Sequence, residues 1–139
     1  MCSSDLSHCN LAFILYGAGL RDSAIVEYRK AIRLRPDDAD AHNSLGFALT
    51  GKGLASEAER EYREAIRADS DHAGAHNNLG NLLRDRGRLQ EAVAEYREAI
   101  RIEPGHAGAH NNLGNLLRQK GRIDEAVAAY REEIGRAHV

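Results

Sequence analysis

Residues Ala73–His106 read AGAHNNLGNLLRDRGRLQEAVAEYREAIRIEPGH, a phrase of 34 residues that recurs on both sides. Ala107 opens AGAHNNLGNLLRQKGRIDEAVAAYREE, Ala39 opens ADAHNSLGFALTGKGLASEAEREYREAIRADSDH, and Asp5 opens DLSHCNLAFILYGAGLRDSAIVEYRKAIRLRPDD. The chain therefore divides into units at 5–38, 39–72, 73–106 and 107–139. A fixed period of this size marks a stacked repeat, in which each unit buries apolar surface only against its neighbours.

Each unit is expected to hold two helices. In the third, Ala75, Leu79, Leu82 and Leu83 follow helical spacing, and so do Leu89, Ala92, Val93, Tyr96 and Ile100. Gly87 separates the two sets. Gly19, Gly53 and Gly121 hold the same place, so a turn is predicted in every unit. The only prolines, Pro36 and Pro104, punctuate the passage to the next unit, because proline cannot continue a helix. Gly46, Gly80 and Gly114 fall inside the first helices, with Ala12 at that place in unit one. Glycine there costs about 1 kcal/mol relative to alanine, which makes sense where a neighbouring backbone passes close by. Tyr28, Tyr62, Tyr96 and Tyr130 are expected to supply the bulk that fills the space between units. In units one and two a leucine follows the turn glycine directly (Leu20, Leu54), one place earlier than Leu89 and Ile123. That offset predicts an altered rotation of the second helix in those units.

His76, Leu79-Gly80, Leu83, Gly87, Ala92, Tyr96, Ala99 and Pro104 carry a resemblance to the tetratricopeptide repeat family, and their equivalents carry it through nearly the whole chain. The resemblance implies an all-α fold, an α-solenoid of antiparallel helix pairs wound into a right-handed superhelix. The chain departs from the family at His8, His42, His76 and His110, where tryptophan is common. The phrase AHNNLGN is similar to the long repeat superhelix of O-GlcNAc transferases and of many bacterial repeat proteins.

In this family the first helices line a concave groove that receives extended peptides. Carrying those positions over implies a groove of Phe13, Asn43, Phe47, Asn77, Asn81, Arg84, Asn111, Asn115 and Arg118. Cys9, Tyr16 and Thr50 belong to the same rows, and Asn10, Ser44, Asn78 and Asn112 form a neighbouring one. An asparagine amide both donates and accepts, so a row of them suits a peptide backbone. The competing use is that asparagines bond each other or the next unit. Phe13 and Phe47 are the only phenylalanines; they either pack in the core or, exposed, make the N-terminal half of the groove aromatic, in which case a ligand would place an apolar side chain near Phe47 and a carboxylate near Arg84 and Arg118 in the other half. Some co-chaperones of the family grip a peptide's C-terminal carboxylates with a lysine/asparagine/arginine clamp. Its positions here hold Cys9, Phe13, Ser44, Gly74 and Asn78, none of them basic, so that activity is not implied. The expected function is a non-enzymatic scaffold for a protein or peptide partner. The alternative is the substrate-recruiting part of a larger enzyme, such as an O-GlcNAc-type glycosyltransferase.

Composition narrows the alternatives. The 139 residues are 42% apolar and 29% charged with a formal charge of -2, so no basic excess points to nucleic acid or an acidic membrane surface. No apolar run approaches the roughly 18 residues that cross a bilayer, and a cytoplasmic location is expected. Residues 11–20, LAFILYGAGL, follow no Lys or Arg and match the later first helices in register, so they read as helix and not as a signal-peptide core. No nucleophile triad or phosphate loop is present, and no cofactor is expected. HAGAH places His72 with His76, and His106 with His110, but the first of each pair lies in the inter-unit turn and no third ligand recurs; no metal site is expected. Glu59/Arg63 and Arg60/Glu64 suit solvated pairs on an outer helix face. The ends, MCSSDL and EIGRAHV, resemble translated sequencing adapters, and Glu133 breaks the series Ala31, Ala65, Ala99. Residues at 1–6 and 133–139 are therefore expected to be foreign to the repeat.

Overall fold

The computed structural model describes residues 4–137. Among them run seven helices and no strand: α1 (Ser4–Gly17), α2 (Arg21–Leu34), α3 (Ala39–Gly51), α4 (Ala55–Ala68), α5 (Ala73–Asp85), α6 (Leu89–Ile102) and α7 (Ala107–Ala137). Of the stretches read as adapter-derived, residues 1–3 and 138–139 lie outside the described residues.

Three helix pairs stack in sequence, α1 with α2, α3 with α4 and α5 with α6. Each second helix also packs on the first helix of the next unit: α2 on α3, α4 on α5, α6 on α7. First helices further touch one another, α3 with α5 and α5 with α7. The layer of first helices is thus the more tightly gathered, and the stack curves around it.

The turn within each pair is closed by glycine in the left-handed region: φ is 83° at Gly19, 78° at Gly53 and 77° at Gly87. The amide after each glycine donates to the carbonyl five residues back. Leu20 reaches Leu15 at 2.9 Å, Leu54 reaches Leu49 at 3.0 Å and Arg88 reaches Leu83 at 2.9 Å. This satisfies carbonyls that the helix end would leave open. The second helices begin at Arg21, Ala55 and Leu89, the same step in each unit. Each also buries the same face, Ala24, Tyr28 and Ala31, then Ala58, Tyr62 and Ala65, then Ala92, Tyr96 and Ala99, so the altered rotation expected from Leu20 and Leu54 does not occur. Both leucines sit just ahead of their helices and remain 54% and 40% exposed.

Small residues let the pairs close. A Cβ placed on Gly46 would lie 2.7 Å from the Tyr62 ring, and one on Gly80 would lie 2.7 Å from the Tyr96 ring. Those tyrosines are fully buried, as are Ala58, Ala92, Leu45, Leu49, Leu79 and Leu83.

Histidine takes the place common to tryptophan by bonding in two directions. His42 Nε2 donates to the Pro36 carbonyl at 2.7 Å, and His76 Nε2 donates to the Ser70 carbonyl at 3.0 Å. Their Nδ1 atoms face Glu61 at 2.7 Å and Glu95 at 2.6 Å on the second helix. His8 makes the matching contact with Glu27 at 2.6 Å. Each ring thus ties the first helix to the second and, in two units, to the preceding turn.

At His76 burial pulls the imidazole pKa down. The hydrogen bonds to Glu95 and Ser70 and the charges of Glu95 and Glu98 outweigh it, so the pKa stands above its ordinary value. A group raised in the folded state contributes stability that is complete below the unfolded pKa, about 6.5, and is lost as pH rises through the folded value. The urea midpoint is therefore expected to fall as pH rises from about 6.5 upward, and Glu95→Gln to flatten that slope. An unchanged slope in Glu95→Gln removes His76 as its source.

The expectation that every unit divides at its glycine is corrected in the fourth. There α7 runs unbroken for 31 residues, and Gly121 lies inside it, outside the left-handed region. In the earlier units the returning helix lies between two first helices; among the described residues the fourth has one such surface. It also carries Ala129 where Glu27, Glu61 and Glu95 receive their histidines. His110 keeps only the turn contact, donating to Pro104 at 2.7 Å. With less to gain from folding back, the backbone keeps its helical hydrogen bonds. Tyr130 is left 68% exposed, and nothing lies within 4 Å of a Cβ built on Gly114.

Candidate functional site

The inner layer of α1, α3, α5 and α7 carries the residues expected to form a groove. Two asparagine pairs bridge successive first helices. Asn78 Nδ2 donates to Asn43 Oδ1 at 3.0 Å, and Asn112 Nδ2 donates to Asn77 Oδ1 at 3.1 Å. The paired amides sit half-buried beside two glycines at the next helix start. A Cβ on Gly74 would come within 3.8 Å of Asn43 Nδ2, and one on Gly108 within 3.8 Å of Asn77 Nδ2. The amides therefore take the competing use weighed from the sequence and tie the units together, while each pair keeps N–H and C=O capacity that its mutual bond does not use.

Phe13 and Phe47 meet at one hollow. It has a volume of about 370 Å³ and is lined by Phe13, Tyr16, Gly17, Tyr28, Asn43, Ser44, Phe47 and Asn78. The Tyr16 and Phe47 rings lie 5.5 Å apart and tilted by 55°. Tyr16 also carries the Arg21 guanidinium, 5.8 Å from the ring centre. Burial pushes the Tyr28 phenol pKa up against the opposing hydrogen bond with Ser44, so the floor of the hollow is uncharged at neutral pH.

The remaining expected residues divide between inward and outward roles. Asn81 accepts the Tyr96 hydroxyl at 2.6 Å, so its carbonyl oxygen serves the core. Arg84 Nε donates to Asp85 at 3.2 Å, and Arg118 donates to Asn115 at 3.2 Å. Asn111, Asn115 and Arg118 are exposed on α7. Thr50 turns toward the packing, its hydroxyl donating to the Gly46 carbonyl at 2.9 Å. The structure brings Phe13, Asn43 and Phe47 together at the hollow; Asn77 stands one unit on.

The HAGAH histidines point to different tasks. His72 Nδ1 accepts the Ala75 amide at 2.9 Å and His106 Nδ1 accepts the Ala109 amide at 3.0 Å, capping α5 and α7 as Asp38 caps α3. Among the described residues no group of three His, Cys, Asp or Glu is placed to hold a metal ion. On the outer layer Glu59 gathers Arg63, Arg86 and Arg88 at 2.7 to 3.1 Å. Exposed pairs of this kind contribute about 0–1 kcal/mol each. No helix of the described residues is long and apolar enough to cross a membrane.

The histidine–glutamate ties were missed from the sequence. Their signal is a His and a Glu separated by 19 residues in units one, two and three, broken at Ala129.

A curved stack of helix pairs with an amide-bearing inner face defines a helical-repeat solenoid. The family described as Tetratricopeptide repeat matches residues 48–107 and 79–138, and the one described as TPR repeat matches 22–53. The chain belongs to the tetratricopeptide repeat family. Among solved structures, a crystal structure of MamA is similar at 27% identity and a TM-score of 0.79, covering 97% of this chain and 81% of that one. The first tetratricopeptide domain of human RPAP3 is similar at 19% identity and a TM-score of 0.83, covering 88% and 96%. Its second domain, solved with the HSP70 peptide SGPTIEEVD, is similar at 22% identity and a TM-score of 0.76, covering 81% and 94%. No curated protein matches the chain.

Proposed function

We propose that the chain is a non-enzymatic protein-interaction scaffold that holds an extended segment of a partner along the inner face of α1, α3, α5 and α7. The observation that carries this reading is the pair of bridged amides, Asn43 with Asn78 and Asn77 with Asn112. A peptide backbone offers one N–H and one C=O per residue, and amides held in place by their neighbours pair with it at little further cost in conformational freedom. The RPAP3 domain solved with an HSP70 peptide supports it by showing what this fold can hold in another protein.

The test is selection of binders from a random twelve-residue peptide library on the whole chain, followed by titration. The double variant Asn77→Ala/Asn111→Ala is expected to weaken every selected peptide roughly tenfold or more, since two hydrogen bonds of about 1 kcal/mol each are lost. Selected peptides whose affinity the double variant leaves unchanged would show that the groove is not where they bind.

A further inference from the structure

We propose that the hollow between Phe13, Tyr16, Tyr28 and Phe47 seats one large apolar side chain from the interior of the partner segment, and so decides which segments are taken. This rests on the groove reading and adds the chemistry of its ligand.

Phe13 and Phe47 are the only two phenylalanines in the chain. They occupy equivalent places in consecutive units, yet neither joins the core: they are 75% and 51% exposed. Leu20 and Leu54 share that exposure at 54% and 40%, but the tyrosines and leucines that pack units one to three do not. Tyr28, Tyr62 and Tyr96 are at most 5% exposed, and Leu45 and Leu79 at most 2%. Apolar rings gathered at the wall of a concavity, with polar groups on its rim, mark a surface that is covered in use.

The shape suits a side chain more than a free small molecule. The volume of about 370 Å³ lies near the lower end of the roughly 300–1,000 Å³ of small-molecule pockets. Four different helices contribute to it, α1, α2, α3 and α5. Asn43 and Asn78 stand on its rim, already joined to each other. A residue whose side chain enters the hollow would bring its own backbone N–H and C=O to those amides.

The lining also selects against charge. No lysine or arginine belongs to it among the described residues, and Arg21 is held against Tyr16. A carboxylate placed there would give up water with no cation in the lining itself to meet it. The ligand is therefore an internal stretch of chain bearing Phe, Tyr, Leu or Met, and not an acidic C-terminal tail.

Four capped peptides test this on the whole chain: acetyl-Gly-Ser-Gly-Xaa-Gly-Ser-Gly-amide with Xaa as Phe, Leu, Ala or Glu. Titration is followed by the backbone amide NMR signals. The Phe and Leu peptides are expected to give saturable shifts at Asn43, Phe47 and Asn78, with the Ala and Glu peptides at least tenfold weaker. Phe47→Ala should reduce the Phe-over-Ala preference to less than twofold. Phe47 is half-exposed, so its circular dichroism should match that of the parent. Arg60→Ala, exposed on the outer face of α4, should leave the preference intact. Equal binding of the Glu peptide, a preference that survives Phe47→Ala, or no saturable binding by the Phe peptide overturns the proposal. If library-selected peptides still depend on Asn77 and Asn111 in any of those cases, the groove reading stands and only the apolar anchor falls.

Discussion

Tyr96→Ala is expected to cost about 3–5 kcal/mol, the range for removing a buried aromatic side chain, whereas Tyr130→Ala is expected to cost no more than about 0.5 kcal/mol. The two tyrosines hold the same place in neighbouring units. Tyr96 is fully buried, fills the space over Gly80 and donates its hydroxyl to Asn81. Its loss opens a cavity and strands the Asn81 carbonyl oxygen. Tyr130 stands on the straight part of α7 and is 68% exposed. Urea denaturation followed by circular dichroism measures both. A Tyr130→Ala variant as damaged as Tyr96→Ala would mean that the fourth unit folds back in solution, contrary to the structure.

Glycine substitution gives the complementary result, and here the two sites are expected to differ in sign. Gly80→Ala should destabilise by about 1–3 kcal/mol, as overpacking of a filled interior does. The added Cβ would meet the Tyr96 ring at 2.7 Å, and that ring is completely enclosed, so it has nowhere to move. Gly114→Ala meets nothing within 4 Å. It should stabilise by about 1 kcal/mol through helix propensity alone. The same denaturation curves decide it: a Gly114→Ala variant that loses stability would place a ring over Gly114, which only a folded-back α7 could supply.

Much of the architecture was legible because a repeat states its own rules several times. Gly19, Gly53 and Gly87 recur at turns, and each takes a left-handed φ that a Cβ would oppose. Gly46 and Gly80 recur inside helices, and each has a tyrosine ring pressed against it. Tyr28, Tyr62 and Tyr96 were readable as buried bulk, but the place expected for them, between units, is corrected: Tyr62 and Tyr96 lie over Gly46 and Gly80 of their own units. The groove was less legible. Its rows came from resemblance, and spacing alone could not say that Asn81 would turn its oxygen to Tyr96 or that Asn78 would donate to Asn43. Those choices depend on which partner lies within 3 Å after stacking, and the partner belongs to another helix.

Gly121 shows the boundary between the two kinds of information. By sequence it is the equal of Gly87, and the fourth unit reads as a helix pair like the third. What the residues alone determined was the period, the helical halves and the close-packed positions. Whether a glycine becomes a turn was decided only in three dimensions. A glycine permits the left-handed bend but does not impose it. The bend forms where the returning helix finds surface to cover, as α6 does between α5 and α7. Where it finds less, and Ala129 offers His110 no carboxylate, the continuous backbone hydrogen bonding of α7 prevails.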